Sequence, residues 1–198
     1  MASSSVPRGM GMIINVVKKQ FPKVKNIDTE TLNQWLKNTI ASTSSKMAAT
    51  AGGDSKSEQQ PPQSPKLALL DVRPEKEYQI SFIPSARRVD PEEQDMKKLL
   101  QLINEVAQSS EPDKRVQVVM YCSVGYRASI LATRLEEFLE KEGGDAGLDI
   151  YNLEGSIFKW ANENRTMIDK TGQETQYVHP YSRVWCYLVD SQRRKYKL

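Results

Sequence analysis

The residue with the most promising chemistry is Cys122, within Val118-Val119-Met120-Tyr121-Cys122-Ser123-Val124-Gly125-Tyr126-Arg127. The apolar run before it is expected to be a buried strand ending at Tyr121, and an amphipathic helix is expected to begin near Arg127. In open α/β sheets, ligands sit just beyond the carboxyl ends of the strands, where Cys122 would stand. Gly125 is free to take a positive φ, so the backbone N–H groups of the loop can turn inward. Inward amides form an anion-binding nest, the following helix adds its positive end, and Arg127 adds a formal charge. Each of these favours thiolate over thiol, and the same nest would hold an anion bound to the sulfur. The implied chemistry is a nucleophilic sulfur and an anionic adduct. The competing reading makes Cys122 a small core residue and Arg127 a solvated first-turn side chain.

The rest of the reactive inventory is short. Cys186 lies between Trp185 and Tyr187 and reads as buried, and the single histidine, His179, reads as a tail residue packing beside Tyr181. Two cysteines cannot build a disulfide framework or a cysteine-rich zinc site, and one histidine nearly removes metal clusters. No metal and no cofactor is therefore expected. The net charge is +3, from 28 Lys and Arg against 25 Asp and Glu, which leaves no nucleic-acid footprint and suits a small anionic substrate better than a polyanion. No run approaches the ~18 apolar residues of a membrane span. Residues 1–27 contain no acid and faintly resemble a transit peptide, although arginine is scarce there. Ser5-Val6-Pro7-Arg8-Gly9 reads equally as a vector-derived remnant. The ending Tyr196-Lys197-Leu198 half matches a peroxisomal signal. A reducing compartment suits a working thiol, so the cytoplasm is the default and an organelle the alternative.

The elements that would position Cys122 can be read from apolar periods. A short apolar piece at residues 24–27 leads to Asp28, a helix N-cap, with Ile27 and Leu32 as its hydrophobic staple. Leu32, Trp35, Leu36 and Ile40 mark one helical face. Residues 41–66 turn to Ser, Ala, Gly, Gln and Pro, which bury too little to offset ordering, and read as a flexible insert. Residues 67–72 (LALLDV), 116–121 (VQVVMY) and 148–153 (LDIYNL) are expected strands, the first two nearly continuous in apolar residues and so covered on both faces. Asp90-Pro91-Glu92-Glu93 is expected to open a helix carrying Met96, Leu99, Leu100, Ile103 and Val106. Another carries Ala128, Leu131, Leu135, Phe138 and Leu139 and stops at Gly143-Gly144. Ile157 and Trp160 suggest a short helix after Gly155. From Thr171 the chain is expected to pack over the domain and fray into Arg193-Arg194-Lys195. Alternating strands and helices predict an α/β fold with a central parallel sheet and helices on both faces. The expected organisation is a tail at 1–20, a domain at 21–170 with its insert at 41–66, and an extension at 171–198.

The loop from Cys122 to Arg127 resembles the C-x-x-G-x-R active-site loop of the rhodanese-like sulfurtransferases. Leu69-Leu70-Asp71-Val72-Arg73-Pro74-Glu75-Lys76-Glu77-Tyr78 is similar to the "LLDVRxxxEY" segment of that family. Ile83-Pro84-Ser85-Ala86 resembles its "GHIPGA" turn, and residues 153–160 (LEGSIFKW) its closing "L-x-G-G-x-x-x-W". There are departures. Ser81-Phe82 stands for Gly-His, Ser85 and Ser156 for glycines, and Ala128 where a serine often follows the loop arginine, so the backbone of the turn at Ser85 is expected to differ.

The resemblance implies a single rhodanese-like domain in which Cys122 is the catalytic residue. It would take the sulfane sulfur of thiosulfate or a persulfide donor and hold it as a persulfide for cyanide or a thiol acceptor. Ser123, Val124, Gly125, Tyr126 and Arg127 would bind the substrate, their amides facing the sulfur. A protein partner in a sulfur relay is compatible with this. Asp71 and Arg73 read as structural, with Arg73 expected to pair with Glu77. The alternatives are a cysteine-dependent phosphatase or arsenate reductase of the same fold, and a non-catalytic binding module.

Overall fold

Alternate residues of the strand before Cys122 point to two different cores, which explains why its sequence is almost continuously apolar. In the computed structural model, which describes residues 9–49, 66–107, 115–144 and 146–197, Val116, Val118, Met120 and Cys122 pack into one core, while Val119 and Tyr121 pack into the other. The strand is β4 (Val116–Tyr121). It is the middle of a five-stranded sheet of order β1-β5-β4-β2-β3, with every pairing parallel. The others are β1 (Lys25–Ile27), β2 (Lys66–Asp71), β3 (Arg87–Arg88) and β5 (Leu148–Leu153).

Helices cover both faces. On one side α4 (Met96–Ala107) and α5 (Tyr126–Lys141) bury Leu99, Ile103, Leu131 and Leu135 against β2 and β4. On the other lie α1 (Gly9–Gln20), α2 (Thr29–Ala49), α6 (Ser156–Asn162) and the chain after Met167, around Leu32, Ile157, Phe158 and Trp160. A short α3 (Glu75–Tyr78) follows β2. No helix among the described residues is long and apolar enough to cross a membrane.

The start of α2 follows the sequence reading. Asp28 Oδ1 accepts the N–H of Thr31 at 2.7 Å, and Ile27 and Leu32 share one core. Four features of the helices and of the chain's end differ from the sequence reading. First, α2 runs on to Ala49, into the stretch read as an insert. Ala41, Met47, Ala48 and Ala49 are strong helix formers, and no Gly or Pro intervenes before Gly52. Lys66, read as the last residue of the insert, is instead the first of β2, paired with Val116, and residues 50–65 lie outside the described residues.

Second, α4 begins at Met96 rather than at Pro91. Asp90 Oδ1 closes only a local turn onto the N–H of Glu92. The working cap is Asp95, whose Oδ1 accepts the N–H groups of Lys97 and Lys98, both at 3.0 Å. The apolar period starts only at Met96. Third, residues 9–20 form α1, with Met10 and Val17 buried. Fourth, the basic end is tied down. Val178 N–H donates to Arg193 O at 2.8 Å and accepts, through its carbonyl, the N–H of Lys195 at 3.1 Å. The extension is also anchored by Asn162, which donates to Leu188 O and accepts from Asp190 N–H.

Candidate active site

Cys122 follows the last residue of β4, and two contacts fix its peptide. Its N–H donates to Ser156 Oγ at 3.2 Å, and its carbonyl accepts the N–H of Ile157 at 3.2 Å. The carbonyl of Ser123 likewise accepts the N–H of Phe158 at 3.2 Å. The first turn of α6 thus takes up the carbonyls of Cys122 and Ser123. Gly125 N–H donates to Cys122 Sγ at 3.2 Å. Among the described residues, no acceptor stands at the N–H groups of Val124, Tyr126 and Arg127. Gly125 has φ +104°, and a Cβ there would lie 3.0 Å from Asn152 Nδ2. Both the backbone angle and the lack of space therefore call for glycine.

The charges around the loop differ from the sequence expectation. Arg73 does not pair with Glu77. It donates to Asp71 from Nε to Oδ1 at 2.8 Å and from Nη2 to Oδ2 at 2.6 Å, and also to Ser81 O. Both side chains are fully buried. Chain direction explains the exchange: Arg73 leaves the end of β2 and turns back toward the 81–83 turn, so a one-turn helical pairing never arises. Glu77, with no exposed side-chain surface, instead takes Arg127 in a two-pronged pair, Nη1 to Oε1 at 3.0 Å and Nη2 to Oε2 at 3.1 Å. Ser123 Oγ donates to Glu77 Oε2 at 2.9 Å and accepts from Arg127 Nη2 at 2.8 Å. Burial alone would lower the Arg127 guanidinium; its bonds to Glu77, together with the neighbouring Cys122, outweigh that and raise it above the usual arginine value. The loop cation is thus already matched by an anion.

Cys122 is 1% exposed and opens onto a cavity of about 270 Å³. Its floor is the loop: Cys122, Ser123, Val124, Tyr126 and Arg127. Its walls come from residues to which sequence reasoning gave no role: Ile13, Val16, Val17 and Gln20 of α1, with Tyr181 and Trp185 of the C-terminal extension. The Tyr181 ring lies over the Arg127 guanidinium at 4.9 Å, and Gln20 Nε2 donates to Tyr126 OH at 3.1 Å. Phe21 stacks edge-on against Tyr126 at 5.3 Å. The signal for α1 was present, since Met10, Ile13, Ile14 and Val17 recur at helical spacing. Nothing local marked Tyr181 or Trp185. Cys186 and His179 stay outside this cavity. Cys186 is buried with its thiol donating to Arg183 O, and His179 Nδ1 accepts the N–H of Tyr181. Among the described residues, no group of three or more His, Cys, Asp or Glu side chains could hold a metal ion.

Comparison with known proteins agrees with this architecture. The rhodanese-like domain model matches residues 55–163, from ahead of β2 to the end of α6. No curated protein matches the chain. Among solved structures, an As-Sb reductase of Leishmania major superposes with a TM-score of 0.51 at 15% identity, covering 77% of this chain and 92% of that one. A yeast protein tyrosine phosphatase of the rhodanese family gives 0.47 at 18% identity, with 69% and 83% covered. A thiosulfate sulfurtransferase of Pseudomonas aeruginosa gives 0.47 at 18% identity, with 92% of this chain and 26% of that one covered. The first of these carries the shared fold.

Proposed function

The chain belongs to the rhodanese-like domain family, and from that premise we propose that it is a sulfurtransferase working through a persulfide on Cys122. The thiolate attacks the outer sulfur of a sulfane donor, thiosulfate or a persulfide. An S–S bond forms to Cys122, the donor's S–S bond breaks, and the electron pair leaves with sulfite or the donor thiolate. Cyanide or a thiol then attacks the bound sulfur and restores the thiolate. No cofactor enters either step. A reducing compartment, by default the cytoplasm, would keep such a thiol working.

The observation that carries this reading is the pairing of Arg127 with buried Glu77 across a loop of only four residues between Cys122 and Arg127. A persulfide adds one sulfur atom, which the Gly125 N–H and its neighbouring amides suit. A phosphoryl or arsenate group brings three oxygens and more negative charge, and would need a cation not already neutralised. The phosphatase and reductase among the structural neighbours keep that alternative in the test.

Intact-mass measurement after thiosulfate should show a gain of one sulfur atom, lost on adding cyanide. Cys122→Ser should abolish the gain and the turnover, while Cys186→Ser should keep most of both. Aryl phosphate or arsenate turnover that disappears in Cys122→Ser, without any persulfide, would overturn the sulfur reading.

A further inference from the structure

The walls over Cys122 bear on what kind of donor reaches it. Resting on the sulfur-transfer reading above, we propose that the donor is a small organic sulfane carrier with an apolar body and no more than one charge, seated between α1 and the C-terminal extension.

Three observations carry this. The first is size. A cavity of about 270 Å³ is more than a five-atom anion such as thiosulfate fills. The second is lining. Away from the loop, the walls are Ile13, Val16, Val17, Tyr181 and Trp185, with Gln20 their polar member. The third is charge. Among the described residues, Arg127 is the single charged one lining the cavity, and Glu77 already matches it. A dianion entering here would give up its hydration for no uncompensated cation, which is costly. A carrier with one charge at its sulfur end would leave that charge against the loop amides and bury its apolar body higher up. α1 and residues 167–197 both lie outside the residues matched by the family model, 55–163.

An alkyl or aryl thiosulfonate is the simplest such carrier. The Cys122 thiolate attacks its terminal sulfur, the new S–S bond forms, and the bond from that sulfur to the sulfonyl sulfur breaks. The sulfinate departs with the electron pair. One negative charge remains on the persulfide and one on the sulfinate, so charge and atoms balance.

The test measures persulfide formation in the full chain with thiosulfate, methanethiosulfonate and benzenethiosulfonate. Each rate is divided by that donor's rate with a small free thiol, which removes intrinsic reactivity. We expect the normalised kcat/KM of benzenethiosulfonate to exceed that of methanethiosulfonate by about 10-fold or more, as burial of a ring's surface predicts, with thiosulfate below both. Val16→Asp, at a half-exposed position on α1, should collapse the ratio between the two thiosulfonates several-fold, and Trp185→Ala should do the same from the opposite wall. Equal normalised rates for all three donors, thiosulfate as the best donor, or a ratio indifferent to both substitutions would overturn the donor assignment while sulfur transfer stands. Absence of persulfide from every donor would overturn sulfur transfer itself, and the donor assignment with it.

Discussion

Two serines occupy backbone positions that glycine fills at least cost. Ser156 has φ +51° and Ser85 φ +69°, a left-handed conformation that costs an L-residue about 1–2 kcal/mol. Ser85, in the turn expected from its sequence to differ in backbone, takes a left-handed conformation that glycine adopts without strain. At Ser156 the side chain also earns a task, because its hydroxyl accepts the Cys122 N–H and donates to Leu153 O, both at 3.2 Å. Strain relief and lost hydrogen bonds oppose each other in Ser156→Gly. Its urea unfolding free energy should therefore stay within about 1 kcal/mol of wild type. Persulfide formation, which depends on the Cys122 peptide, should slow about 10-fold. Were rate and stability to fall together in proportion, Ser156 would be a structural residue only. The loop itself was legible because its six residues are contiguous. The Glu77–Arg127 pair was not, since its partners lie 50 residues apart and the nearer choice for Glu77, Arg73, is held by Asp71.

Among the elements, those covered on both faces were the easiest to read. β2 and β4 bury both faces, so their runs are apolar enough to stand out, and β4 and β5 match the expected limits residue for residue. β3 was missed because its two residues, Arg87 and Arg88, carry no apolar signal and pair only at the sheet edge with Leu70 and Asp71. α1 was missed for another reason. Its apolar stripe was visible, but basic and acid-free surroundings made it look like a tail. Its fully buried Met10 lies in the same core as Trp160, Leu188 and Val189. Met10→Ala should therefore cost about 2–4 kcal/mol, the range for a large-to-small change in a core that cannot fully collapse. The urea midpoint measures this directly. A cost below about 0.5 kcal/mol would mean that α1 detaches without consequence, and the wall it gives the cavity would then be dispensable too.

At the scale of the whole molecule, the extension wraps from Met167 to the basic end, and His179 is where pH acts on it. His179 is buried, its Nδ1 accepts the Tyr181 N–H at 3.1 Å, and its ring meets Tyr196 edge-on at 6.1 Å. Accepting at Nδ1 requires the neutral ring. Burial is the main cause that holds its pKa below the ordinary value of 6.5; nearby Lys76, Arg73 and Arg127 lower it further, and Glu77 opposes them. The sign follows from proton binding. Between the lowered native value and the ordinary one, the unfolded chain binds more protons, so stability rises with pH across that window. The contribution is complete above about pH 6.5 and is lost as pH falls through the native value. Urea midpoints taken between about pH 7.5 and pH 5 should therefore decline on acidification, before most carboxylates titrate. His179→Asn keeps an oxygen that can accept the Tyr181 N–H but cannot be protonated there, and should flatten the decline. Parallel curves for the two proteins would show that His179 is not the group responsible. Because Tyr181 is both the donor to His179 and the ring over Arg127, protonation should also loosen the wall above Cys122. Persulfide formation from benzenethiosulfonate should then lose part of its advantage over methanethiosulfonate in the same pH window, and keep it in His179→Asn.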